Sequence, residues 1–214
     1  MILGQLASAR GERHHAANRR APFACARDLS LLAEIGRGLD ADDAALAGDC
    51  ADVMNTVARW DPALVAPFGE QLDPLLSHRS NRVRWEAMQA VASIAPNRPD
   101  LIEPLLPRLQ ATIVTDTSVI ARDAAVTAIA NFAGSSPAAA RTAVPLLTGV
   151  LELENGRFAS RALTGPRQAG EVDPALAGAL MPIAGSHLDH HRKVARDAAK
   201  QLLRAIEKAE RLPQ

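Results

Sequence analysis

The chain has 214 residues, 48% of them hydrophobic but only 3% aromatic, with no tyrosine. That is enough apolar matter for a sizeable core, and its weight of Ala and Leu favours closely packed helices over strands, which draw on Val, Tyr, Phe and Thr. The formal net charge is zero, so no overall field marks a binder of nucleic acid or acidic membrane, and no stretch approaches the length of a membrane span.

Residues 1–24 are polar, with four Arg against one Glu, and are expected to be frayed or to form an extra helix. Their opening, "MILGQLASARGERHH", has too short an apolar run for a signal peptide, so the protein is expected in the cytoplasm. Residues 25–77 carry three Arg against ten acids, a local net of −7. Within them "CARDLSLLAEIGRGL" and "AALAGDCADVMNTVARW" read as helices. Cys25 and Cys50 lie among small apolar residues, which predicts buried free thiols rather than a disulfide framework.

From residue 61 the chain repeats itself. "VRWEAMQAVASI" (83–94), "IARDAAVTAIANF" (120–132) and "VARDAAKQLLRAI" (194–206) share one pattern. Ala87, Ala125 and Ala199 are 38 and 74 residues apart, one period and then two. Each is followed by small or apolar residues at offsets of 3, 4 and 7, one face of a helix. The copy due near 157 is the degenerate "RFASRALTG", and Pro166 and Gly170 are expected to cut its helix short. A second series runs ahead of the first. Pro107, Pro145 and Pro182 sit in Leu-rich helical stretches 38 and 37 residues apart, and Pro67 is their earlier relative. Proline at a fixed offset implies a kink that packing tolerates. Asp61-Pro62 and Asp173-Pro174 read as helix starts, with an acid at the cap and proline where no N–H is needed.

The unit is therefore a kinked apolar helix, a short polar turn, and a straighter Ala-rich helix. Five units are expected, over 25–60, 61–96, 98–133, 136–170 and 173–209, in one domain ending in a tail at 210–214. The first lacks the proline and Arg signature, as an end repeat with one face to water can. One such pair cannot bury its apolar face alone, so similar neighbours stack and cover one another.

A two-helix unit of this length, with proline in its first helix and V-R-x-x-A-x-x-A in its second, resembles the HEAT repeat over most of residues 60–209. The resemblance implies an all-α, right-handed α-solenoid (an α-α superhelix) of about five helix pairs. It also implies a ladder between a turn Asp and the Arg six residues on. Asp116 and Arg122 match that ladder, whereas His78 stands before Arg84 and His190 before Arg196.

Catalytic chemistry is not evident. The sequence has no H-E-x-x-H, G-x-S-x-G, Gly-rich phosphate loop or paired C-x-x-C, so no enzyme, cofactor or metal is expected. His187, His190 and His191 cluster around Asp189, but they straddle the turn between two helices and read as a solvated turn. The bases of the last helix interleave with Asp197, Glu207 and Glu210, which reads as a solvated outer face. Trp85 is the residue to single out. It projects nearly opposite the buried face of its helix, beside Gln89. The equivalent positions are Asp123, Thr127 and Asn131 in the next unit, and Asp197 and Gln201 in the last. In a stacked array this side is expected to be the concave surface, where a large aromatic can anchor a partner. The expected function is a non-catalytic scaffold that binds another protein there. The alternative is a nucleic-acid-binding relative of the HEAT-like alkylpurine DNA glycosylases, echoed by Trp85 and Asp123. Lyases or chaperones of phycobilin attachment, also HEAT-like, find no supporting residue.

Overall fold

The structure is a computed structural model that describes residues 1–12 and 17–210. Residues 13–16 of the N-terminal segment and 211–214 of the expected tail lie outside the described residues. Among the described residues every regular element is helical. They form two compact units, Met1–Arg98 with Thr117–Ala124, and Pro99–Asp116 with Ala125–Gln214.

In the first unit, 3₁₀ turns at Leu3–Gln5 and Ala17–Arg20 precede α1 (Ala21–Arg27), α2 (Leu29–Gly38), α3 (Ala44–Trp60), α4 (Pro62–Val65), α5 (Gly69–Leu75) and α6 (Asn81–Ile94). The expected frayed segment is tied down over its described part. Ile2, Leu6 and Ala7 are buried, and the Leu3 N–H donates to Glu34 Oε1 at 3.2 Å. The stretch read as a single helix through "CARDLSLL" divides at Asp28, whose carboxylate accepts from the Ser30 N–H at 2.9 Å and caps α2. Asp61 caps α4 in the same way, through Ala63 N–H at 3.1 Å. Pro67 interrupts its helix outright, leaving a 3₁₀ turn at Ala66–Phe68. Arg98 braces that break by donating to the Ala66 carbonyl at 3.0 Å and to Glu70 at 2.6 Å.

α7 (Pro99–Thr115) and α8 (Val119–Ala133) follow, the second running from one unit into the other. The second unit continues with α9 (Pro137–Thr148), α10 (Ala159–Ala162), α11 (Thr164–Val172), a 3₁₀ turn at Pro174–Leu176, α12 (Ala177–Gly185) and α13 (Lys193–Glu210). α7, α9 and α12 keep Pro107, Pro145 and Pro182 inside the helix. All three are exposed, so the hydrogen bonds they remove lie on the side where water can replace them. Pro166 and Gly170 do not end their helix as expected. Pro166 stands in the first turn of α11, where its missing N–H costs little, and the helix runs on to Val172. The interruption falls earlier, at Leu163, after a turn in which Glu154, Asn155 and Gly156 all have positive φ. Asp173 also departs from the expected cap. Its side chain pairs with Arg141 Nε at 2.7 Å instead.

The helices pack through the positions that repeat. Val83, Ala87, Ala90, Val91 and Ile94 of α6 are fully buried, as are Ala125, Ala128 and Ile129 of α8. Leu202 and Ile206 do the same for α13. Ala125→Leu should therefore overpack its site and lower stability by about 1–3 kcal/mol in a urea melt. Cys25 and Cys50 are free and fully buried, and burial pushes their thiols up to about 11 and about 12.

The two turns in which His replaces Asp show what the substitution does. His78 Nδ1 accepts the Ser80 N–H at 3.0 Å, and the His78 carbonyl accepts from Arg84 Nη1 at 2.8 Å. His190 Nδ1 accepts the Arg192 N–H at 3.0 Å, and its carbonyl accepts from Arg196 at 2.7 Å. The imidazole caps the turn and the arginine reaches the backbone, so the Arg keeps a local partner without a carboxylate.

Candidate interaction face

With its apolar stripe inward, α6 turns Arg82, Trp85, Glu86 and Gln89 the other way, all half-buried. Trp85 is held in place. Its indole N–H donates to Glu86 Oε1 at 3.0 Å, and Glu86 Oε2 accepts from Asn55 Nδ2 of α3 at 2.8 Å. Burial raises the Glu86 carboxyl above the ordinary range, against the lowering effect of those two donors. One turn earlier, Arg82 pairs with Asp49 at 2.8 Å and reaches Asp52 at 3.6 Å. Asp49 is 1% exposed and also accepts from the Ser8 N–H at 2.7 Å and from Asn18 Nδ2 at 2.8 Å. Burial alone would push its carboxyl up. The Ser8, Asn18 and Arg82 hydrogen bonds prevail and hold it below the ordinary range. The N-terminal segment is thus pinned to the same face of α3 and α6 that carries Trp85.

Gln89 lies one turn beyond Trp85 on α6. Asp123, in the same unit, starts a row on α8 that Thr127 and Asn131 continue at four-residue steps, all half-buried. In the second unit Asn131 Oδ1 takes a long hydrogen bond of 3.4 Å from Gln168 of α11. On α13, Lys193 Nζ binds Asp197 at 2.6 Å and holds its carboxyl below the ordinary range, while Gln201 is exposed. The residues singled out in sequence therefore fall in three short rows, on α6, α8 and α13. Asn55, Glu86 and Gln168 were not singled out. Gln168 was within reach of the repeat, 37 residues after Asn131. Glu86 and Asn55 were not, because only the packing of α3 on α6 brings them together. Trp60, the other tryptophan, is 49% exposed and lies 4.7 Å from the Phe23 ring, an aromatic pair that no period marks.

No protein-family model matches the chain, and no curated protein is significantly similar to it in sequence. Solved structures do resemble it. A designed armadillo repeat protein in complex with the peptide (KR)4 shares 18% identity, with 96% of this chain and 98% of that one covered and a TM-score of 0.71. A computationally designed armadillo repeat protein for modular peptide recognition shares 19%, over 95% and 98%, with a TM-score of 0.70. An engineered protein shares 16%, over 97% and 96%, with a TM-score of 0.68. At these identities the likeness concerns the fold, which is an all-α helical-repeat solenoid.

Proposed function

We propose that the protein is a non-catalytic scaffold of HEAT type, and that a segment of another protein lies along the polar side of its second helices. The observation that carries this reading is the setting of Trp85. Its ring stands opposite the buried stripe of α6, half-buried, with its N–H fixed by Glu86 and that carboxyl fixed by Asn55. A large aromatic already immobilised in a polar surround loses little entropy on binding and suits an anchor. Gln89 and Asp123 in the same unit, and Thr127, Asn131, Asp197 and Gln201 in the other, supply amide, hydroxyl and carboxylate groups of the kind that pair with a peptide backbone. The fold's neighbours point the same way, since two are armadillo repeat proteins designed for, or bound to, peptides. Buried free thiols suit a reducing compartment such as the cytoplasm. No described helix is long and apolar enough to cross a membrane.

Peptides selected from a random display library against the whole chain test the proposal. A selected peptide should shift the Trp85 indole N–H resonance, assigned with Trp85→Phe, and leave that of Trp60 in place. Peptides that perturb only Trp60 would contradict it. So would release of base from alkylated duplex DNA that vanished in Asp123→Asn.

A further inference from the structure

The break at Pro67 opens a groove in the first unit. The 3₁₀ turn at Ala66–Phe68 sets the Phe68 ring against α2, where Gly36 admits it, since a Cβ at that position would strike the ring. Leu29 and Leu32 lie on the same stripe of α2 as Gly36. Facing them are Ala63, Leu64, Pro67 and Phe68, and a cleft of about 250 Å³ lies between the two walls. Leu29 is 58% exposed. Ala63 and Pro67 are exposed as well, and Leu64 and Phe68 are half-buried, so the cleft is open to water. All six side chains that line it are apolar, and the Ala66 carbonyl at the break already accepts from Arg98. Charge marks one end. Asp28 caps α2 immediately before Leu29, and Asp61 caps α4 two residues before Ala63. Both are exposed, and both caps use Oδ1, which leaves Oδ2 of each for another donor. The Ser30 hydroxyl and N–H hold the Asp28 carboxyl below the ordinary range. Arg27 and Arg59 stand at the same two junctions, but over residues 25–77, which build both walls, acids outnumber Arg ten to three.

We propose that this groove docks a short amphipathic helix of a partner protein, with aliphatic side chains in the cleft and a lysine or arginine at the end where Asp28 and Asp61 stand. The lining selects a helix over an extended segment. An extended backbone would bring its N–H and C=O groups against side chains that offer them no partner, and each group left unpaired costs free energy. A helix satisfies its own backbone and presents only side chains. The length agrees. Leu29 to Gly36 spans about 10 Å along α2, two helical turns, which matches partner side chains at i, i+3 or i+4, and i+7. The charge selects the partner. A second copy of this chain, meeting the groove across a two-fold axis, would set one acidic segment against another, whereas a basic helix finds complementary charge. The groove shares no residue with the Trp85 face and does not depend on its role.

The probe is a peptide selected on the whole chain from a display library of Ala-rich helices of about 18 residues, long enough to hold helix in water, with one face randomised. It should carry aliphatic residues at three- and four-residue spacing and Lys or Arg at one end. Bound, it should shift the methyl resonances of Leu29 and Leu64 and leave the Trp85 indole N–H in place. Ala63→Glu puts an unpaired carboxylate into the cleft and should weaken binding about tenfold or more, with the thermal melt unchanged because the site is exposed. Should that variant fail to fold, Leu29→Ser, also at an exposed site, takes its place. Asp28→Asn with Asp61→Asn keeps both caps. It should weaken the peptide about threefold or more, an effect that disappears once the peptide's Lys or Arg is replaced by Gln. A library that yields no saturable binder, or binding indifferent to Ala63→Glu, would overturn the proposal. So would a loss in the Asp-to-Asn variant that persists with the Gln peptide. Self-association of the chain that Ala63→Glu abolishes would give the groove to a second copy and overturn it too.

Discussion

Asp49→Ala should destabilise the protein by about 3 kcal/mol, the lower end of what removing one partner from a buried ion pair costs. The carboxylate is 1% exposed and serves Arg82, the Ser8 N–H and Asn18 at once. The loss stays near the lower end because Asp52 remains 3.6 Å from Arg82 and 3.2 Å from Asn18 Nδ2. The Ser8 N–H would keep no such substitute. Urea melts should show the loss, and hydrogen exchange should show amides 7 and 8 deprotected well before those of α6. The same hub sets a pH dependence. Its folded pKa is depressed, so its contribution is complete above the ordinary carboxyl value of 3.8 and fades as pH falls below it. Acid should therefore release the N-terminal segment in the wild type but have little further effect there in Asp49→Ala.

Phe158→Ala should cost about 3–5 kcal/mol, as deletion of a fully buried aromatic does. Phe158 is 0% exposed and sits between the positive-φ turn and the short helix α10. In sequence this is a degenerate copy of the repeat, with the helix signature reduced to "RFASRALTG". A calorimetric melt should nevertheless rank Phe158 among the most damaging truncations. A loss below about 1 kcal/mol, as for a surface site, would show that the fourth unit is not packed as described.

The helical period and the proline ladder made most of the architecture legible, because both follow from stacking demands that recur at every interface. Ala87, Ala125 and Ala199 were readable as buried for that reason. What escaped was local and non-repeating. Asp28 splits a stretch that reads as continuous, since an Asx cap competes with the helix at a single residue. Pro166 is harmless because α11 starts only two residues before it. Asp173 leaves its cap for Arg141, a partner 32 residues away that no local pattern announces. The candidate face divides in the same way. Trp85 and the rows on α8 and α13 came from helix geometry, whereas the Asn55–Glu86 brace and the pinning of Ser8 and Asn18 to Asp49 depend on chain separations of 31 residues or more. His187, read in sequence as part of a solvated turn, is instead 4% exposed, because a turn in sequence need not be a turn in solvent.

The most direct measurement is the paired effect of Trp85→Ala on binding and on stability. A peptide selected against the wild-type chain is titrated against both proteins, and both are unfolded in urea. If Trp85 is an anchor on the partner-binding face, affinity should fall by 2 kcal/mol or more, about thirtyfold. Stability should fall by only about 1–2 kcal/mol, the cost of one hydrogen bond and a half-buried ring. Unchanged affinity, or a stability loss of about 3–5 kcal/mol as for a core aromatic, would contradict the assignment and make Trp85 part of the packing.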